Sequence, residues 1–158
     1  CKENDKVYAI TAPFMINSTY PLYNVNDVLN GIYIHGNVIG NVMFFGAGAG
    51  KLPTASAVVA DVVDEAKHLH RNIMTMWKNE KLELLPIEDT EKRFFVRISG
   101  DEKMRREETE AAFGAVTFVR AEGLENEFGI ITEVMTEGAY RKIAEKFEGI
   151  LHMIRVEE

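Results

Sequence analysis

The sequence is poor in the residues and patterns that mark several classes of protein. Its single cysteine, Cys1, cannot form an internal disulfide, which fits a reducing cytoplasm. No apolar run approaches the ~18–20 residues that span a bilayer, and no signal-peptide pattern precedes the first predicted strand. Lysine and arginine number 18 against 25 acidic residues, with no basic cluster. The net charge of −7 argues against a nucleic-acid partner, and we expect a cytoplasmic protein that binds neither nucleic acid nor membrane.

What remains is the composition of a globular protein, 46% apolar and 27% charged, over 158 residues. That length suits one ordinary domain or two small ones. The chain begins without methionine, and residues 1–5 are typical of a surface turn. We therefore expect a fragment of a longer protein, or a protein seen only in part, with a processed terminus as the alternative.

The first region carries the pattern of a small antiparallel sheet. Residues 7–16 are rich in β-formers and predict a strand interrupted at Pro13. Residues 31–35 and 41–45 predict two further strands, and the glycine-bounded segment 36–40 between them predicts a hairpin connection.

A glycine-rich turn, residues 46–52, runs directly into a predicted helix that starts at Pro53 and reaches about His70. Proline suits a first helical position because its missing N–H would have had no partner there. An apolar stripe recurs at helical spacing, and we interpret it as a face packed in a core. The stripe consists of Ala55, Val58, Val59, Val62, Val63, Ala66 and Leu69.

The glycine-rich turn matches neither common phosphate-binding motif. A Walker A loop needs a longer gap between its glycines and Ser or Thr after its lysine, whereas Leu52 follows Lys51 here. A dinucleotide fingerprint needs a glycine at position 51. Glycines let the backbone approach a ligand, and a helix start offers N–H groups to an anion or a carboxamide. The residues alone nevertheless favour a tight turn without a ligand.

The last third of the chain predicts a separate unit. Residues 78–92 are charged, contain Pro86 and predict a linker. The pattern beyond the linker is β-α-β-β-α-β, the ferredoxin-like arrangement. The predicted fold class of the whole chain is therefore α+β, with a small antiparallel sheet and a long helix followed by the ferredoxin-like unit. Its predicted elements are strand 93–99, a helix over 101–113 capped by Asp101, strands 115–120 and 128–135, a helix over 140–150 and strand 152–156.

The four histidines, His35, His68, His70 and His152, do not form a metal-ligand set. His68 and His70 are two apart on a predicted helix and point in different directions. No cysteine or acidic cluster completes a ligand sphere, so we predict no metal site.

Residues 46–61, together with the segment Asn24-Val-Asn-Asp-Val-Leu-Asn-Gly31, closely resemble the C-terminal part of homoserine dehydrogenase. The resemblance covers essentially the whole chain, specifically over residues 20–64 and more loosely over 93–158. It implies an oxidoreductase that uses NAD or NADP to interconvert L-aspartate 4-semialdehyde and L-homoserine. It places this small-molecule substrate in threonine and methionine biosynthesis, and it implies a homo-oligomer such as a dimer. The family's Rossmann domain has no counterpart here.

The resemblance also implies where a cofactor binds. In the family, the matching loop and helix start lie against the dinucleotide, so we expect Gly50 first, then Gly48 and Thr54, near the nicotinamide end. The family's catalytic lysine with its acidic neighbours, its monovalent-cation site and its cofactor fingerprint lie upstream of Cys1. No catalytic residue is carried over onto this chain, and the fragment alone is expected to be inactive.

Polar side chains near the expected site have simpler interpretations. Asn24, Asn26 and Asn30 offer amide groups close to the family's substrate region, but asparagine readily bonds its own backbone, so we favour a role in turns. Lys51 could steer an anionic cofactor, although a solvated surface lysine is the more common case.

By the resemblance, residues 1–77 are the C-terminal part of the catalytic and dimerisation domain, 78–92 a linker and 93–158 an ACT-like regulatory domain of a monofunctional enzyme. Effector-binding ACT domains carry an apolar helix start after a glycine-centred turn, whereas strongly charged residues follow Gly100. We therefore expect a structural or dimerising role and no buried amino-acid site. The alternative for the whole chain is a non-catalytic ACT-type regulatory or dimerisation module.

Overall fold

The computed structural model describes residues 2–3, 6–72, 74, 76–77, 79 and 81–157, so the prediction about Cys1 lies outside the described residues. The chain divides into two compact units, Asn17–Glu80 and a unit that joins Cys1–Ile16 to Lys81–Glu158. In chain order the elements are β1 Lys2–Glu3, β2 Lys6–Val7, β3 Phe14–Ile16, β4 Leu29–Gly36, β5 Gly40–Ala47, α1 Lys51–Lys67, a 3₁₀ turn Ile87–Asp89, β6 Glu91–Ser99, α2 Glu102–Phe113, β7 Val116–Val119, β8 Glu127–Thr132, β9 Met135–Thr136, α3 Glu137–Ala144 and β10 Ile150–Glu157.

The unit Asn17–Glu80 contains the predicted hairpin. Strands β4 and β5 pair antiparallel in continuous register, from Gly36 opposite Gly40 to Leu29 opposite Ala47. The prediction of a small antiparallel sheet is confirmed, and each strand is longer than its pattern indicated. The turn closes at Gly40, whose φ of 69° is a backbone conformation that glycine adopts without strain.

Helix α1 follows the hairpin and spans 17 residues. It begins two residues before Pro53, with Gly50 as the N-cap residue. The interpretation of its apolar stripe as a packed face is wrong for the described chain, because α1 contains no buried residue. Val58, Val59 and Val62 are 58%, 59% and 63% exposed. Helical periodicity predicts that a face is apolar, but it does not say what covers that face.

The other unit has the ferredoxin-like arrangement that the pattern predicts. Its four long strands stand in the order β10-β6-β8-β7 and pair antiparallel. Alternate residues of β6 and β8 join residues of α2 and α3 in one buried core, so both helices cover the same face of the sheet. The Phe94 ring stacks on Tyr140 at 4.7 Å between centroids, and Phe113 packs edge-on against Phe147 at 5.2 Å.

The N-terminal residues complete this second unit, which the local pattern did not indicate. Strand β3 pairs parallel with β10, with Phe14 opposite Arg155. The segment predicted as a linker also has regular structure near its end, where Leu85 N–H donates to the Val7 carbonyl at 2.8 Å. Both pairings join residues far apart in sequence, so no local signal encodes them.

The capping prediction for α2 is confirmed. The Asp101 carboxylate accepts hydrogen bonds from the N–H groups of Lys103 at 2.8 Å and Met104 at 3.3 Å. These two donors have no partner inside the helix, so the cap stabilises the first turn by about 1 kcal/mol. Among the described residues, no helix combines the length and apolar character needed to cross a bilayer.

Candidate functional site

The glycine-rich loop is the exposed connection between β5 and α1. Strand β5 ends at Ala47 and α1 begins at Lys51, so Gly48, Ala49 and Gly50 make the whole reversal. All three are exposed. The loop therefore presents backbone to its surroundings, as an approach by a ligand would require.

Gly50 is glycine for a reason of backbone geometry. Its φ is 115°, a conformation that side chains rarely adopt. A Cβ atom placed there would meet only Pro53 Cδ, at an ordinary distance of 3.6 Å. The reversal into α1 thus demands glycine at this position whether or not a ligand is present.

Gly48 is glycine for a reason of space. A Cβ atom there would collide with the Asn30 Nδ2 atom, and it would lie 3.0 Å from Cγ and 3.3 Å from Cβ of the same side chain. The Asn30 amide therefore packs against one side of Gly48, which remains exposed.

Gly46 shows neither constraint. It stands opposite Asn30 in the hairpin ladder, its φ is not in the positive region, and a Cβ atom there would meet nothing within 4 Å among the described residues. The three glycines that looked equivalent in the sequence are thus structurally distinct. Only Gly46 has open space around the missing side chain and an ordinary backbone conformation.

Thr54 lies in the first turn of α1, where its N–H donates to the Gly50 carbonyl at 3.1 Å. The structure therefore brings Thr54 and Gly50 together, and Thr54 is exposed. The first turn carries no acidic residue, and Lys51 is exposed beside it. A helix start without acidic residues, a nearby cation and glycine backbone fit an anionic or carboxamide group.

The asparagine-rich segment before β4 divides into two kinds of residue. The Asn26 carbonyl accepts from Leu29 N–H at 3.1 Å, which agrees with a role in a turn. Asn30 instead lies within β4 and reaches the loop. The sequence interpretation missed this contact, and the signal that could have found it is the hairpin register, which sets position 30 opposite position 46.

Two carboxylates outside the loop are buried, and the sequence interpretation missed both. Glu137 is 1% exposed and accepts two hydrogen bonds from Arg155, at 2.8 and 2.7 Å, and one from Arg141 at 2.8 Å. Burial of Tyr140 raises the pKa of its hydroxyl to about 12, and the nearby charge of Glu137 adds to this increase. Both arginine partners lie within the ferredoxin-like unit, so this network stabilises the unit and its carboxylate is already fully engaged.

Glu102 sits at the start of α2 beside a polar cavity of about 400 Å³. Hydrogen bonds from Arg120, and then from Arg106, hold the pKa of this carboxyl below its usual value. The cavity is also lined by Gly100, Asn126 and Phe128. Because its buried carboxylate is already satisfied by two guanidinium groups, the cavity offers no unpaired buried charge to a ligand.

The part of the chain that the structure describes holds no group of three or more His, Cys, Asp or Glu residues able to bind a metal ion. The His35 ring lies against the Asn41 side chain at 2.5 Å, and His68 Nδ1 lies 2.9 Å from the Asp64 carbonyl. Each contact involves a single histidine, His35 in the hairpin and His68 at the C-cap of α1.

Comparison with known proteins gives a consistent result. Residues 4–63, which include the whole loop, match the family model of homoserine dehydrogenase. The homoserine dehydrogenase of Synechocystis sp. is 39% identical over 94 residues, which are 54% of this chain and 22% of that protein. The crystal structure of S. aureus homoserine dehydrogenase at pH 7.0 aligns with a TM-score of 0.70 and 25% identity, over 99% of this chain and 39% of that one.

A second solved structure agrees. The homoserine dehydrogenase from Thiobacillus denitrificans aligns with a TM-score of 0.65 and 26% identity, over 93% of this chain and 38% of that one. The chain thus spans well under half the length of the relatives that it matches. The family match, the curated relatives and the solved structures agree that the chain is similar to the C-terminal portion of homoserine dehydrogenases.

Proposed function

We propose that the full-length protein is an NAD- or NADP-dependent oxidoreductase that interconverts L-aspartate 4-semialdehyde and L-homoserine in the cytoplasm, as a step of threonine and methionine biosynthesis. One observation carries the proposal: the family match over residues 4–63 includes the glycine-rich loop and the start of α1. The dinucleotide, when bound, supplies the hydride that is exchanged with the substrate.

This chain's part in the reaction is to bind and orient the cofactor. Helix α1 starts directly after the loop with no acidic residue in its first turn, and Lys51 adds a positive charge there. We assign the nicotinamide end of the dinucleotide to Gly50, Gly48 and Thr54. We assign no proton transfer to this chain, because no residue on it matches the family's catalytic lysine.

The test compares two proteins that carry the same segment. The purified 158-residue chain should show no homoserine-dependent reduction of NAD or NADP, whereas the full-length protein should show it. Activity in the short chain would contradict the assignment of the catalytic residues to the rest of the protein. An inactive full-length protein that is folded and binds neither dinucleotide would contradict the proposed reaction.

We also propose that residues 93–158 act as an ACT-like module that promotes homo-oligomerisation and does not bind threonine. Strand β7 is an edge of its sheet, and a second copy could pair there. The charged start of α2 is a poor wall for a buried effector pocket. Sedimentation of the 158-residue chain should reveal a dimer, and calorimetric titration with threonine should give no saturable heat. A monomer would remove the first part, and saturable threonine binding would remove the second.

A further inference from the structure

We infer that Asn30 is a positioning residue for the cofactor loop: its side chain packs against one side of Gly48 and sets the path of the backbone between β5 and α1. The inference rests on the proposed function, because it assumes that this loop holds the dinucleotide. The new element is a residue outside the loop, eighteen positions earlier in the sequence, that determines the shape of the loop.

The contact follows from the hairpin register. Asn30 and Gly46 are opposite each other, one pair before the end of the ladder. Directly opposed residues share a face of a two-stranded sheet, and a side chain can also reach the diagonal neighbour two positions along the partner strand. Because Gly46 has no side chain, Asn30 meets nothing directly across the ladder. It extends instead to Gly48, the diagonal position.

The contact is tight enough to constrain the loop. A Cβ atom at Gly48 would overlap the Asn30 amide and would lie 3.3 Å from the Asn30 Cβ atom. The amide could rotate away, but the Cβ atom is attached to the strand and cannot. Any side chain at Gly48 must therefore displace either the Asn30 amide or the loop. Two residues after Gly48, the chain makes the Gly50 reversal, with φ of 115°, from which α1 starts. A displaced loop would move the N–H groups at the start of the helix.

The experiment is a double-mutant cycle in the full-length protein, with Asn30→Ala, Gly48→Ala and the combination. Dissociation constants for NADH and NADPH are measured by fluorescence, KM and kcat are measured with homoserine, and the midpoint of thermal unfolding is recorded. Gly48→Ala should weaken dinucleotide binding about tenfold, because small displacements of positioning groups are costly. Adding Asn30→Ala should recover part of that loss, since the colliding amide is gone while the Cβ atom at position 30 remains 3.3 Å from the added methyl group. The change should fall on the cofactor KM more than on kcat.

Two matched controls sharpen the result. Asn37→Ala removes another exposed asparagine, in the turn at the far end of the same hairpin, and should not rescue Gly48→Ala. Gly46→Ala places a methyl group where no described atom lies within 4 Å. Its effect on dinucleotide affinity should therefore be the same with and without Asn30→Ala. Rescue by Asn37→Ala would show that the recovery is not specific to the contact, and would overturn the inference.

The outcomes separate this inference from the proposed function. Strictly additive effects of Asn30→Ala and Gly48→Ala on cofactor affinity, in folded variants, would overturn the positioning role while leaving the loop as a cofactor loop. The other outcome is that Asn30→Ala and Gly48→Ala have non-additive effects on thermal stability, while no variant, including Gly46→Ala, changes dinucleotide affinity. In that case the loop does not touch the cofactor. That result would overturn both the assignment of the loop and the role of Asn30 in cofactor binding.

Discussion

The two units of this chain differ in where their apolar side chains lie. The ferredoxin-like unit buries Phe94, Val96 and Ile98 completely beneath two helices. The unit Asn17–Glu80 leaves most of α1 exposed, although the helix has a clear apolar stripe. The sequences of both units have regular hydrophobic periodicity. Periodicity therefore predicts which face of an element is apolar, while burial depends on whether the chain also supplies the covering element.

The largest expected effect tests the buried side of this comparison. Phe94→Ala should lower the free energy of unfolding of the 158-residue chain by about 3–5 kcal/mol, because it removes a fully buried ring and leaves a cavity. The matched substitution Val62→Ala in α1 should change it by less than about 0.5 kcal/mol, since that side chain is exposed. Chemical denaturation of both variants measures the difference. Equal losses would mean that the α1 stripe is covered in solution, for instance by a second copy.

The next effect concerns the buried carboxylate of the ferredoxin-like unit. Glu137→Gln should cost about 3 kcal/mol of stability, because it leaves the largely buried Arg155 guanidinium, 16% exposed, without its counter-charge. Arg141→Met, which removes the half-exposed partner of the same carboxylate, should cost less than about 1 kcal/mol. Urea denaturation at neutral pH gives both values. If the two variants lose the same stability, the network does not depend on the Arg155 pair.

A third prediction separates backbone geometry from ligand contact within the loop. Gly50→Val should weaken cofactor use in the full-length protein, and it should also destabilise the fold by about 1–3 kcal/mol, because φ at this position is 115°. Gly46→Ala has no such strain and should leave thermal stability unchanged. Comparing cofactor affinity with thermal stability for both variants decides the question. A Gly50→Val protein with wild-type affinity would show that Gly50 does not touch the dinucleotide.

The smallest effect is a dependence on pH. Arg120 and Arg106 hold the pKa of Glu102 below its usual value, so the ionised carboxyl stabilises the folded state. That stabilisation is present above the unfolded pKa of about 4.5 and is lost as pH falls through the lower folded value. Glu102→Gln should therefore cost about 1 kcal/mol near pH 7 and progressively less below pH ~4. Denaturation curves across that range would contradict the assignment if the gap between variant and wild type stayed constant.

Glu107→Gln provides the matched control for this effect. Glu107 is exposed on the same helix, so its substitution should change stability at neutral pH by less than about 0.5 kcal/mol. A larger loss would show that the charge of α2 as a whole, and not the Glu102 contacts, governs its stability.

Much of the fold was predictable because its signals are local. Alternating and helical periodicities, the Asp101 cap and the glycine-bounded turn of the hairpin each lie within a few residues of one another. The βαββαβ order follows from the sequence of these elements. The parallel pairing of β3 with β10 was not predictable, because it joins Phe14 to Arg155 across nearly the whole chain.

The candidate site divides in the same way. The sequence by itself determined that glycines precede a helix start, which is a local pattern with a known use. The tertiary structure alone decided why each glycine is there: Gly50 for its backbone conformation, Gly48 for the Asn30 side chain, and Gly46 for neither. The physical reason is that steric contacts depend on the hairpin register, which brings distant positions within van der Waals range. A composition or a spacing carries no record of which atoms occupy that space.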